Sequence, residues 1–290
     1  MFKIGVMLES FRLGLEGGIR AAADLNVDGI QLYATAGETH FSKLKGPALK
    51  DLRRRLSDAH LEVAAVCGDF GGHGLADAPA NPGRIEEIKQ VIRLAHELES
   101  RVVTTHIGVI PADPEHPRYK VMSAACAEIG KFAVAHDITL AIETGPEPAK
   151  VLRRFLEDLG DRSGVGVNFD PANLVMVCQE NIPLAVSTLA PYIVHTHAKD
   201  GRNLQPVDPE LLYGVFAGDP KPAGFHIGDY ILETPLGEGD VPFPAYLQTL
   251  RTNGFSSGYL TIEREVGENP VRDITTAVQF LQEMNGPGCP

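Results

Sequence analysis

Three carboxylates and an imidazole stand at corresponding places in four short apolar runs: Glu143 in "TLAIETG", Asp170 in "VGVNFD", His197 in "IVHTHAKD" and Glu263 in "YLTIERE". If each run is a β-strand, its side chains alternate between two faces. Glu143 then shares a face with Ala141, opposite Leu140 and Ile142, and Glu263 shares one with Thr261, opposite Leu260 and Ile262. Asp170 goes with Asn168, opposite Val167 and Phe169, while His195, His197 and Lys199 project together, opposite Val194, Thr196 and Ala198. Carboxylates gathered on one spot repel, so they must either hold protons or recruit a cation. Three of them with one imidazole form an oxygen-rich donor set suited to a single divalent ion, Mn²⁺, Mg²⁺, Co²⁺ or Zn²⁺.

These residues converge only if their runs lie side by side. Eight apolar or β-branched runs, beginning at Lys3, Gly29, Glu62, Arg101, Thr139, Val165, Ile193 and Tyr259, alternate with segments of helical period. Such alternation is the sequence form of repeated βα units around a parallel sheet. In "GRIEEIKQVIRLAHELES", for example, Ile85, Ile88, Ile92, Leu94 and Ala95 fall near one face. Eight strands and eight helices predict an α/β fold, a single (β/α)8 TIM barrel over residues 1–290, with chemistry at the C-terminal ends of the strands. No GxGxxG follows an early strand and no GxxxxGK[ST] occurs, which argues against an open nucleotide-binding sheet. The Gly- and Pro-rich stretch 201–236, directly after strand seven, reads as an irregular, lid-like insertion whose Phe216, Phe225, His226 and Tyr230 shape or cover the mouth. The tail 285–290, "NGPGCP", reads as a frayed end.

Composition narrows the function classes. With 43% hydrophobic and 22% charged residues the chain is typical of globular proteins, and no run is long enough for a membrane helix. The beginning lacks the apolar core and cleavage site of a signal peptide, so the expected location is cytoplasmic. A formal charge of -12 disfavours nucleic acid and anionic membrane as partners. Cys67, Cys126, Cys178 and Cys289 form no CxxC pair, which suggests neither a disulfide framework nor a thiolate zinc site. Barrels of this size often self-associate, so a homo-oligomer stays open. Around the four central residues, His106 in "TTHIG", Lys199, Glu9 and Asn173 are candidates for substrate binding, each with a structural alternative. For His106 that alternative is a buried structural role, for Lys199 a pair with Asp200 or Glu143, for Glu9 a helix cap and for Asn173 an Asx turn. His195 reads as a hydrogen-bonded core histidine and Arg264 as a partner on the helix side. The GxG at Gly237–Gly239 is too short to indicate a phosphate site.

The pieces "AIETG", "NFDPANL", "HTHAKDG", "PLGEGDVPFPAYLQTL" and "YLTIERE" together resemble the xylose isomerase-like TIM-barrel superfamily of sugar isomerases and epimerases. Its members include ketose 3-epimerases, hydroxypyruvate isomerase, inosose dehydratase and endonuclease IV, and the likeness spans essentially the whole chain. The resemblance implies that Glu143, Asp170, His197 and Glu263 bind one metal ion. It also implies that Glu143 and Glu263 act on opposite faces of a small sugar or cyclitol, by α-proton abstraction through a metal-stabilised enediolate. The alternatives are a keto-sugar or inosose dehydratase, a non-catalytic sugar-binding barrel and, as a minor reading, an abasic-site endonuclease. The extra metals of endonuclease IV require histidines where this chain has Cys67 in "AAVCGD", Asn173 and Leu174, and "ILETPLGEG" lacks the Asp-x-His element. Tryptophan, which xylose isomerase proper carries at its sugar site, is absent.

Overall fold

In the computed structural model, which describes residues 1–160 and 163–285, all eight expected runs are strands. They are β1 (Lys3–Met7), β2 (Gly29–Tyr33), β3 (Glu62–Cys67), β4 (Val102–Thr105), β5 (Thr139–Glu143), β6 (Val165–Phe169), β7 (Ile193–Ala198) and, after an inserted pair, β10 (Tyr259–Ile262). Every neighbouring pair is parallel and the sheet closes through β1 and β10, giving a (β/α)8 barrel. The register brings Glu143 opposite Asn168, Asn168 opposite His195, and Thr261 opposite His197, which aligns the four polar runs at one mouth.

The helices follow from apolar spacing and local caps. They are α1 (Gly14–Asp24), α2 (Pro47–Asp58), α3 (Asn81–Glu97), α4 (Pro117–Val134), α5 (Ala149–Leu159), α6 (Pro171–Asn173), α7 (Ile182–Leu189), α8 (Pro209–Phe216), α9 (Phe243–Thr252) and α10 (Pro270–Asn285). In α2, Pro47 opens the helix with its fixed φ, and Leu49, Leu52 and Leu56 are the buried residues. Helix α3 buries Ile85, Ile88, Ile92, Leu94 and Ala95, as the period requires. After α1 to α4 the chain turns back to the sheet through left-handed residues, Asn26, His60, Glu99 and Asp137, so four βα units end on the same backbone device. Leu140, Ile142, Val167, Phe169, Leu260 and Ile262 pack outward in the main apolar core, leaving their alternate neighbours to the barrel interior.

Two expectations need correction. The stretch 201–236 is not irregular: β8 (Asp200–Asn203) pairs antiparallel with β9 (Ile231–Thr234), and α8 lies between them. The pair is tied to the barrel at its base by two carboxylates, Asp200 and Glu233. Asp200 accepts hydrogen bonds from the backbone N–H groups of Gly201, Gly237, Gly239 and Val241 at 2.9–3.1 Å, so the GxG amides are spent on a side chain of the chain itself. A Cβ on Gly239 would lie 2.1 Å from Asp200 Oδ1, which is why that position needs glycine. Glu233 accepts from the Arg264 guanidinium at 2.6 Å and from the Glu265 N–H at 3.1 Å, fastening β9 to the end of β10. Arg264 also donates to Asp273, consistent with its helix-side parity. The second correction concerns only the first residue of the expected tail, Asn285. Asn285 is the last residue of α10, and its amide bonds both the N–H and the carbonyl of Phe2, so it ties the end of α10 to the residue before β1 rather than fraying. Residues 286–290, Cys289 among them, lie outside the described residues. Cys67, Cys126 and Cys178 are free thiols.

One buried acid makes stability depend on pH. Glu147, in the loop after β5, accepts from the Ile110 N–H at 3.2 Å and is 4% exposed. Burial pushes its pKa up to about 8. The folded chain therefore holds a proton that the unfolded chain releases near pH 4.5, and stability falls as pH rises between those values. Glu147→Gln keeps the acceptor for Ile110 and removes the titration. It is expected to raise Tm by several degrees at pH 8, on the order of a few kcal/mol, and to leave Tm nearly unchanged at pH 5. Thermal unfolding of both proteins across that range checks this, and equal gains at the two pH values would contradict it.

Candidate metal centre and cavity

Strand alternation directs Glu143 and Glu263 from β5 and just beyond β10 into the C-terminal mouth, and His197 joins them from β7. Asp170 arrives by a cap. In "DPAN", Asp170 Oδ1 accepts from the Asn173 N–H at 2.9 Å and Pro171 supplies the first helical φ, opening α6. A π-helical turn, Leu174–Cys178, follows directly. The result is that Oδ1 is committed to the backbone while Oδ2 faces His197.

All four residues are buried, and one ligand atom from each lies within 4.8 Å of the others. His197 Nδ1 stands 3.4 Å from Asp170 Oδ2, 3.5 Å from Glu263 Oε2 and 3.6 Å from Glu143 Oε1. Those distances are long for N–H···O bonds. They suit donors grouped around one cation at bonds of about 2.1–2.2 Å, which set neighbouring ligands roughly 3.0–3.6 Å apart. Burial opposes a charge on His197, yet the carboxylates of Glu263, Glu143 and Asp170 hold its pKa well above the usual imidazole value. A cluster that draws a proton onto a fully buried histidine is one that requires positive charge, and the donor set fits a divalent ion. Among the described residues this is the one such convergence of His, Cys, Asp and Glu groups.

Neighbouring amides fix each donor. Glu143 accepts from Asn173 Nδ2 at Oε1 and from Asn168 Nδ2 at Oε2, both at 3.1 Å. Gln31 Oε1 lies 3.0 Å from His195 Nε2 and 3.2 Å from His197 Nε2, while its Nε2 donates to Thr104 Oγ1 at 3.1 Å. An amide oxygen can only accept, so Gln31 selects the Nε2–H tautomer of His197 and leaves the Nδ1 lone pair facing the carboxylates. Asn168 Nδ2 donates one of its two hydrogens to Glu143 Oε2 and lies 3.2 Å from the same His197 nitrogen, so Gln31 Oε1 is the acceptor there. His195 is thus a hydrogen-bonded core histidine one layer deeper, and burial keeps its pKa well below the usual value.

Above the cluster opens a cavity of about 490 Å³, within the ordinary range for small-molecule sites. Glu143 and Glu263 line it, whereas Asp170 and His197 lie beneath with no exposure. Three of the further candidates reach it: His106, Lys199 and Asn173. Lys199 Nζ donates to Glu263 Oε2 at 2.8 Å and also bonds Glu265; it does not pair with Asp200. Burial works against its charge, but Glu263, Glu265, Asp170 and Glu233 hold its pKa well above the normal lysine range. His106 Nδ1 bonds Asp69 Oδ2 at 3.1 Å and its Nε2 stands 3.7 Å from Glu143 Oε1. Burial disfavours its charge, and Glu143 and Asp69 outweigh that, raising its pKa to about 10. Asn173 orients Glu143, and Gly145 leaves it room, since a Cβ there would fall 2.4 Å from that of Asn173. Glu9 is exposed outside the lining and accepts from the Tyr33 N–H at 3.1 Å, a structural contact. Of the four expected mouth residues of the insertion, Phe216 lines the cavity; Phe225 stacks on Tyr230, 4.9 Å between centroids, and these two and His226 are outside the lining.

The chain belongs to the xylose isomerase-like TIM barrel family, whose model matches residues 19–284. No curated protein matches it in sequence. Among solved structures it is similar to a xylose isomerase domain protein from Planctomyces limnophilus, at 26% identity and a TM-score of 0.78 over 98% of this chain and 96% of that one. A D-tagatose 3-epimerase-like protein aligns at 21% identity and a TM-score of 0.72, covering 98% of both chains. The probable 3-DHS dehydratase AsbF from Bacillus anthracis aligns at 20% and 0.72, over 97% of this chain and 99% of that one. At these two lower identities the likeness is one of fold. Among the described residues no helix is long and apolar enough to cross a membrane.

Gln31 gives a direct test of the tautomer argument. Gln31→Leu leaves two imidazole N–H groups without an acceptor, and Mn²⁺ affinity measured by titration calorimetry is expected to fall about 10–100-fold. An unchanged dissociation constant in a folded variant would remove Gln31 from this role.

Proposed function

We propose that this family member is a divalent-metal-dependent isomerase or epimerase that removes a proton next to the carbonyl of a small ketose or cyclitol ketone. The carrying observation is the division within the cluster: Glu143 and Glu263 face the cavity while Asp170 and His197 are sealed below it. A divalent ion held by Glu143, Asp170, His197 and Glu263 would supply the Lewis acidity that polarises a substrate carbonyl and offsets enediolate charge. The remaining work falls to the chain. One of the two cavity-facing carboxylates takes the proton from carbon, and the other returns one from the opposite side, inverting that carbon. Asn168 and Asn173 hold Glu143 by both oxygens, so its orientation is set before substrate arrives. Lys199 and His106, both kept cationic, offer hydrogen bonds to an oxygen that gains negative charge during the transfer.

Lys199 also favours a second reading. A protonated amine on the cavity floor, beside Glu263, could deliver a proton to a departing hydroxyl and turn the same abstraction into dehydration. Product analysis separates an epimer from an unsaturated ketone. Turnover in D₂O should place deuterium on carbon in an epimer, whereas elimination to the unsaturated ketone removes that hydrogen without replacing it; for either outcome Glu143→Gln and Glu263→Gln should each lower the rate about 10²–10⁴-fold with the ion retained. Full activity in both variants would overturn the assignment.

A further inference from the structure

We propose that the cavity selects uncharged polyhydroxy carbonyl compounds, free ketoses or cyclitol ketones, and discriminates against their phosphate esters and against keto acids. The inference rests on the functional reading above and narrows it. Its basis is that each cation lining the cavity is already paired. Lys199 is held by Glu263 and Glu265, and His106 by Asp69. At the outer rim, both terminal nitrogens of Arg118 bond the carboxylate of Glu210 in α8, and His73 Nε2 lies 3.0 Å from Asp219 Oδ1 just past α8. Matching Lys199 with Glu265, His106 with Asp69 and Arg118 with Glu210 leaves Asp219 beside His73 at the rim and Glu143, Asp170 and Glu263 in the cluster. A divalent ion among these three carboxylates still leaves one net negative charge.

Three of the backbone donors near the cavity already serve carboxylates of the chain itself. Asp170 caps α6 and Asp208 caps α8, whose first turn also carries Glu210. In the glycine-rich rim loop, the Gly71 N–H donates to Asp69 Oδ1 at 2.6 Å. Arg84, behind that loop, donates to the Gly71 carbonyl and is outside the lining. A phosphate dianion would therefore enter a negative cavity whose cations each already face a carboxylate. Sugar hydroxyls both donate and accept, so they can join the carboxylates without displacing a cation.

The insertion thus sets substrate charge through Glu210 and Asp219. These are surface pairs, with side-chain exposures of 29% and 49% for Arg118–Glu210 and 53% and 51% for His73–Asp219, so breaking them should leave the fold intact. The test is titration calorimetry of the Mn²⁺-loaded protein at fixed free Mn²⁺. The ligands are D-fructose, L-ribulose and an inosose against D-fructose 6-phosphate and L-ribulose 5-phosphate, with inorganic phosphate as the anion control. At least one free compound is expected to bind at least tenfold more tightly than either ester, and Glu210→Gln and Asp219→Asn should narrow that gap by strengthening ester binding. Esters that bind the parent protein as well as the free sugars would overturn the inference and leave the isomerase reading standing. Binding of neither class would overturn the isomerase reading and the inference with it.

Discussion

Three carboxylates buried against one another at the mouth of a closed barrel are the constraint from which the rest of the site follows. Each ion stripped of water costs several kcal/mol, and their mutual repulsion adds to that in a medium less polar than water. The surroundings answer with positive charge and fixed donors: Lys199 against Glu263, His106 near Glu143, and asparagine amides on both oxygens of Glu143. These partners do not complete the neutralisation. What remains is a compact pocket of oxygen donors and one imidazole lone pair, and a divalent cation is the simplest group that satisfies all of them at once.

That constraint reaches far from the cluster. His197 presents the correct nitrogen because Gln31, on the other side of the barrel, accepts at Nε2 and is itself held by Thr104. Asp170 presents one oxygen because the other is engaged by the Asn173 N–H at the start of α6. The hairpin β8–β9 fastens to the end of β10 through Glu233, which leaves α8 free to form one wall of the cavity. Interior packing thus holds the donors to a geometry that loops alone would define poorly.

The four central residues were legible because a strand has period two and a barrel turns one set of alternate positions inward. Matching parity in four runs implied one shared face, and closure implied one shared place. The supporting shell was much harder to read. Gln31 and His197 are 166 residues apart, and nothing in "GIQLYA" distinguishes an interior amide from an incidental one. Asn168 was visible as a neighbour of Asp170 but its bond to Glu143 depends on strand register. Asp69, Glu210 and Asp219 sit in loops or at helix ends, where tertiary contacts decide orientation. The insertion was misread for a related reason. Its two strands are separated by α8 and lack the tight turn that marks a hairpin, so Gly and Pro content suggested an irregular segment where Asp200 and Glu233 organise it. Asn285 looked like part of a loose tail because its partner, Phe2, is at the opposite end of the chain.

The central claim is that Glu143, Asp170, His197 and Glu263 form one cation site, and its most direct test is elemental analysis. The protein would be dialysed against Mn²⁺, Co²⁺, Mg²⁺ or Zn²⁺, freed of excess ion, and compared with the His197→Ala and Asp170→Asn variants by inductively coupled plasma mass spectrometry. The account predicts close to one tightly held divalent ion per chain, lost or strongly reduced in both variants while the fold is retained. No bound ion under any of these conditions, or the same content in the variants, would contradict it.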